Sequence, residues 1–354
     1  MKILYLAGRE ASYSRTRIVI RALEQQGHQV VTCLPPDKSF KHYPGLLLKA
    51  ARLAPSCDVV LVGFYGQLLM PAMRMLTWKP IVFDMYITTY DTMVHDRGAA
   101  APGSFKAKVY AMSDWLAYAC AKRSILDSQH IINHFGQYAN SETSKLRRLF
   151  LAVDDGVIHP REATEVFDTF RVHFHGEFIP FHGVRHIIRA AKLLEDKGVS
   201  FQIVGRGQTF DDDMALMRKL EVRNITLLDP VPYDGLASYM ANADVCLGIF
   251  GDNMRAELVL TNKVNEAIGM AKPLITRRNQ PVQELLKHGE SVYLVDPANP
   301  QAIADAILTL KNDPALRERL AENGHKIFLE NATVERLGKG LDAIIKEAAS
   351  PQKH

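Results

Sequence analysis

Ala243-Asp-Val-Cys-Leu-Gly-Ile249, Thr261-Asn-Lys-Val-Asn-Glu-Ala-Ile-Gly-Met-Ala-Lys272 and Pro273-Leu-Ile-Thr276 follow one another along the chain. They read as a short apolar run, a stretch with helical spacing and a second apolar run. Two strands joined through a helix are parallel, because a parallel connection needs a crossover of a dozen or more residues. Outward from this unit the same grammar recurs. Further strands are expected at 171–176, 200–205, 224–228 and 291–295, with helices at 184–195 and 235–241. In the first half, runs at 2–8, 29–34, 58–63 and 80–84 alternate with helical stretches, the first of them 15–26, closed by Gly27. Residues 156–170 break the rhythm and mark a linker, and 300–310, 314–323 and 334–348 read as closing helices. The expected fold class is α/β, with two Rossmann-like domains facing one another across a cleft. Their bounds are 1–160 and 161–330, and 331–354 form a C-terminal helix that returns toward the first domain. Ligands in such sheets bind outside the carboxyl ends of the strands.

A chain of 354 residues, 47% of them hydrophobic, is long enough for two packed cores and too apolar to be disordered. The apolar run after Lys2 is too short for a secretory signal. The stretch 59–73 is interrupted by Gln67, two glycines and a proline, and falls short of a membrane span. Four cysteines, Cys33, Cys57, Cys120 and Cys246, are too scattered for a zinc clip or a disulfide framework, which fits reduced thiols in the cytoplasm. Residues 1–150 hold 19 Lys and Arg against 10 Asp and Glu, whereas the remainder holds 24 against 29. A basic half joined to an acidic half implies that the first meets something anionic. Nucleic acid, a phosphorylated substrate and an anionic lipid surface are all compatible with charge alone.

Gly8-Arg-Glu-Ala-Ser-Tyr-Ser-Arg15 follows the first strand without forming a Gly-x-Gly-x-x-Gly fingerprint, which argues against a nicotinamide or flavin enzyme. Phe201-Gln-Ile-Val-Gly-Arg-Gly207 ends a strand with two glycines, a pattern that is more often a tight turn than a phosphate loop. Thr261 is placed to cap a helix whose first turn holds Asn262 and Lys263. Free N–H groups and the positive dipole end there favour a phosphate, and Lys263 adds a full charge. Glu266 lies on the same face, suited to accept hydrogen bonds from a ribose diol. By spacing alone, Lys263 and Glu266 read more readily as an ion pair on a solvated helix face.

The pieces together resemble a family. His175-Gly-Glu-Phe-Ile-Pro-Phe-His-Gly183, Val204-Gly-Arg-Gly207, Ala243-Asp-Val-Cys-Leu-Gly248, the Asn262-Lys263 to Glu266 helix and Glu290-Ser-Val-Tyr-Leu-Val-Asp-Pro297 occur in the order of the nucleotide-binding half of a GT-B glycosyltransferase of family four, group 1. The first half matches through its opening strand and the region from Tyr90 to Arg97. The resemblance implies a nucleoside diphosphate sugar as donor, no other cofactor, and a glycan or lipid-linked acceptor. It assigns Gly8, Arg15, Gly176, His182, Gly205, Arg206, Arg255, Thr261, Asn262, Lys263 and Glu266 to the donor, and Asp84, Asp96, Arg97 and Lys263 to catalysis. Three departures stand out. The family Glu eight residues before Glu266 is Leu258, with Glu257 beside it. The diphosphate-binding Arg and Lys are Glu177 and His182, so the cations shift to Lys263, Arg255 or Arg206. The family histidine after the fourth strand is missing, and Asp84 stands near its place.

A nearby anion would favour the protonated form of His182. His173 and His175 alternate along a strand and read as packing residues. His130 and His134 have no third ligand near them in sequence, so no metal is expected. The stretches 46–55, 67–79 and 106–123 mix apolar residues with Lys, Arg, Met and Trp, which reads as core or as a face resting on an anionic membrane. The expectation is a metal-independent retaining glycosyltransferase, cytoplasmic and peripheral at the inner face of the membrane, with no nucleic-acid partner. A non-catalytic GT-B subunit that binds nucleotide or glycan, and a sugar-nucleotide epimerase, are the alternatives.

Overall fold

Strands buried on both faces are continuous apolar runs, and Ile3 to Leu6 has no exposed residue. In the computed structural model, which describes residues 1–350, such runs build two six-stranded sheets, each parallel throughout. The first comprises β1 (Lys2–Leu6), β2 (Gln29–Cys33), β3 (Val59–Val62), β4 (Ile81–Asp84), β5 (Arg123–Leu126) and β6 (Leu146–Arg148), in the order β2-β1-β3-β4-β5-β6. The second comprises β7 (Phe170–His175), β8 (Val199–Val204), β9 (Ile225–Leu228), β10 (Val245–Leu247), β11 (Leu274–Arg277) and β12 (Tyr293–Val295), in the order β12-β11-β10-β7-β8-β9. Strand order reverses between β1 and β3 in one sheet and between β7 and β10 in the other. A crevice outside the carboxyl ends forms at such a reversal.

The chain divides into one unit of Met1–Ala152 with the residues from Thr333 onward, and a second of Val153–Ala332. The first break therefore falls a few residues before the 160 read from sequence. Residues 156–169 carry only turns and bends. The helix Ser14–Gln25 ends where Gly27 adopts φ 77°, with the Gly27 and His28 N–H groups closing on the Glu24 and Leu23 carbonyls. The last helix, Val334–Ala349, buries Val334, Leu337, Leu341, Ile344, Ile345 and Ala348 on one face. That face joins Ile18, Val19, Ala22 and Leu23 of the first helix in a single core. A side chain at Gly338 would strike the Ala22 carbonyl, so the two helices cross there in close contact.

Among the described residues no helix is long and apolar enough to cross a membrane. The cysteines are free thiols, and burial pushes Cys246 up to about 12.

Candidate functional site

In the second unit, the reversal of strand order lies between the ends of β7 and β10, and the helix Asn262–Gly269 begins beside it. Thr261 occupies the N-cap in extended conformation, but its hydroxyl makes no capping bond. That oxygen is buried without a partner, a correction to the expected cap. Its polar group is left for something that binds at the helix end, where the first N–H groups lack intrahelical acceptors.

Glu266 is 5% exposed and still ionised readily, its carboxyl held below the usual range. Burial alone would raise it, so the depression comes from what touches it: His175 first, then Lys263 and the Tyr233 hydroxyl. The His175 Nε2–H donates to a Glu266 oxygen at 2.8 Å. Behind it, His175 Nδ1 meets His173 Nε2 at 3.1 Å, and His173 Nδ1 meets the Gln202 oxygen at 3.0 Å. Burial drives His173 down to about 3, so it is neutral. His173 therefore links Gln202 to His175 as a neutral ring. The reading of His173 and His175 as packing residues is overturned. The available signal was position: His175 ends the strand next to the crossover point, immediately before a glycine.

Lys263 is 8% exposed, and burial lowers it to about 8. Its ammonium donates to His182 Nε2 at 3.0 Å, while His182 Nδ1–H donates to the Glu177 carbonyl. Burial first, and Lys263 second, hold His182 well below its ordinary value. This corrects the expected protonation: His182 is a neutral acceptor that orients Lys263. The Lys263 chain crosses Gly176, where φ is 138° and a Cβ would lie 2.5 Å from Lys263 Cε and 2.6 Å from Nζ. Gly205, at the end of β8, packs on the Gly176 carbonyl, and a side chain there has no room. Both glycines serve close approach.

Arg255 is 5% exposed and lies 5.9 Å from the centroid of Phe181, whose ring in turn meets His182 edge-on. Its guanidinium has no hydrogen bond or ion pair among the described residues, which leaves a cation ready for an anion. Arg206 is instead directed at Asp229 (2.5 Å) and lies over the Phe210 ring. Asn262 is exposed in the first turn of the helix. Leu258 is buried at 1%, and Glu257 beside it pairs with Arg277.

In the first unit, Arg15 and Asp84 form a bidentate pair at 2.7 and 2.8 Å. Asp84 is 1% exposed and the Arg15 guanidinium stacks on Tyr86, 4.4 Å from its centroid. Each carboxylate oxygen accepts one of these bonds, so the pair ties the start of the helix Ser14–Gln25 to the end of β4. Gly8 lies tight against the Tyr43 hydroxyl and the Tyr65 backbone, without room for a side chain. Asp96 and Arg97 sit at the end of a π-helical turn, Asp91–Asp96, where a loop was expected. The Thr89 and Tyr90 N–H groups anchor this turn on Asp114, a buried carboxyl raised to about 7. The same turn brings Asp91 and His95 to His134, with ligand atoms all within 4.8 Å of one another, so three groups able to hold a metal ion do gather at His134. His134 and Asp91 already hydrogen-bond at 2.9 Å.

Comparison with known proteins places this geometry. Residues 169–313 match the family model described as glycosyl transferases group 1. An uncharacterised glycosyltransferase of Methanocaldococcus jannaschii is 28% identical over 182 residues, 49% of this chain and 47% of that protein. The chain spans about half the length of the curated relatives it matches. Among solved structures, Anabaena HepE in complex with UDP and glucose superposes with a TM-score of 0.76 at 16% identity, over 98% of this chain and 99% of that one. A sucrose-phosphate synthase from Thermosynechococcus elongatus gives 0.79 at 14% identity, over 99% of each chain.

Proposed function

We propose that this chain, a GT-B protein whose second unit is a group 1 glycosyl transferase domain, moves a sugar from a nucleoside diphosphate sugar to a glycan or lipid-linked acceptor with retention at the anomeric carbon and without a metal ion. The observation that carries the reading is Glu266, held ionised by His175 and Tyr233 one helical turn from Lys263. A carboxylate has about four acceptor positions, and the two protein donors leave room for a ribose diol. Lys263, Arg255 and the N–H groups after Thr261 then face the diphosphate. As the bond from C1 to the diphosphate oxygen breaks, these groups stabilise the charge that develops on the leaving group. The acceptor oxygen bonds to C1 from the same face and gives its proton to the departing phosphate. Asp96 and Arg97, on the π turn of the first unit, are assigned to the acceptor.

Thermal-shift titration with UDP, GDP and ADP tests the donor site. The matching nucleotide stabilises by about 2.7 kcal/mol at one hundred times its dissociation constant. UDP comes first because HepE was solved with it. Buried Leu258, where the family carries Glu, favours a second reading, a subunit that binds donor without transfer. Release of the nucleoside diphosphate from the matching sugar nucleotide in the presence of acceptors separates the two. An epimerase would instead yield the epimeric sugar nucleotide.

A further inference from the structure

The first unit holds a pocket of about 540 Å³ whose walls include Phe40, Phe64, Ile87, Met93, Val109 and Tyr110. That volume lies within the roughly 300–1,000 Å³ typical of small-molecule sites. Arg97 lines it as well, exposed, and its guanidinium has no hydrogen bond or ion pair among the described residues. One wall is the helix Phe105–Cys120, which is apolar on two sides. Inward it buries Ala107, Ala117 and Tyr118 together with the Asp114 carboxyl that anchors the π turn. Outward, Phe105, Val109, Met112 and Leu116 recur at helical spacing with exposures of 81, 49, 60 and 40%. Trp78 (99%) and Met75 (88%), at the end of the adjoining helix Leu69–Leu76, are exposed too. Lys106 and Lys108 are exposed on the same helix as the stripe. Large apolar side chains grouped in water mark a surface that meets something apolar, and basic residues beside them favour an anionic bilayer. Val109 belongs to both features, so the stripe runs into the pocket.

We propose that this pocket takes the hydrocarbon tail of a membrane-borne acceptor with an anionic head, while the outward stripe of helix Phe105–Cys120 rests on an anionic bilayer. Arg97 meets the head group. The proposal rests on the reading of the chain as a glycosyltransferase and names the class of its acceptor.

The test uses n-alkyl phosphates below their micelle concentrations, followed by calorimetry on the full chain. Affinity should rise about fourfold per added methylene from n-hexyl to n-decyl phosphate. Val109→Trp, a change at a half-exposed position, should block the mouth and abolish that dependence. Met112→Asp, on the stripe but outside the pocket lining, should keep decyl phosphate binding. It should also lose the cosedimentation with vesicles of equal parts phosphatidylglycerol and phosphatidylcholine that the wild type shows. Equal affinity for hexyl and decyl phosphate, or chain-length dependence retained in Val109→Trp, overturns the tail site. Undiminished sedimentation of Met112→Asp overturns the bilayer face. Failure of the glycosyltransferase reading would register elsewhere, as absence of nucleotide binding or of nucleoside diphosphate release while decyl phosphate still binds.

Discussion

Replacing His175 with Phe removes the strongest influence that keeps Glu266 charged while leaving the strand apolar and filled. In the wild type the Glu266 carboxyl is held below its ordinary value of 4.5. Its contribution to stability is therefore present above that value and is lost as pH falls through the lowered folded value. Without His175, burial becomes the leading influence and raises the carboxyl above its unfolded value. The sign then reverses: the contribution is present at low pH and is lost as pH rises through the raised folded value. A hydrogen bond to a charged group is worth roughly 1.5–3 kcal/mol. At about 2–4 °C per kcal/mol for a unit of this size, the variant should melt roughly 3–12 °C below wild type near neutrality. The gap should narrow toward about pH 4, where Glu266 is largely protonated in the variant. Nucleotide affinity should fall about ten- to a hundredfold at neutral pH, since a protonated or turned carboxyl no longer accepts from a ribose diol. His175→Gln keeps an N–H donor and should recover part of both losses. Melting curves and calorimetry across pH make the comparison. A melting gap independent of pH, together with unchanged nucleotide affinity, would refute the assignment of His175 as the group that holds Glu266 ionised.

Three further expectations concern Lys263, Gly176 and the need for a metal ion. Lys263 titrates at about 8 and a bound diphosphate favours its charged form, so the donor dissociation constant should be flat below that pH and rise up to about tenfold per unit above it. Lys263→Arg should flatten that rise, and an unchanged slope in this variant would assign the titration to another group. Gly176→Ala places a methyl against Lys263 at a backbone angle that L residues rarely adopt. It should cost about 1–3 kcal/mol in denaturant unfolding and weaken the donor as Lys263 is displaced. EDTA should leave transfer rates unchanged. Loss of activity restored by Zn²⁺ would instead point to Asp91, His95 and His134 as an ion site.

What sequence could and could not disclose follows from how each feature is encoded. The central strands were legible because burial on both faces forces unbroken apolar runs, as in Ile3–Leu6 or Val59–Val62. Strands β5 and β6 were missed. β6 is an edge strand of three residues reading Leu-Arg-Arg, with polarity suited to an unpaired edge, and β5 beside it begins with Arg123. Lys263 and Glu266 were found because helical spacing links them locally, whereas their partners come from distant strands and turns. His175 lies 91 positions from Glu266, and His182 lies 81 from Lys263. Arg15 and Asp84 were singled out separately for different roles, and only the fold brings them together across 69 positions. Once joined, their charges satisfy each other. The Asp91, His95 and His134 cluster shows the converse, for a π turn changes which residues share a face and brings a helix from 43 positions away into contact. A charged residue in a sequence therefore carries two readings until its partner is known. In this chain the distinction rests on whether the opposite charge is supplied by the chain, as for Arg15, or left for a ligand, as for Arg255.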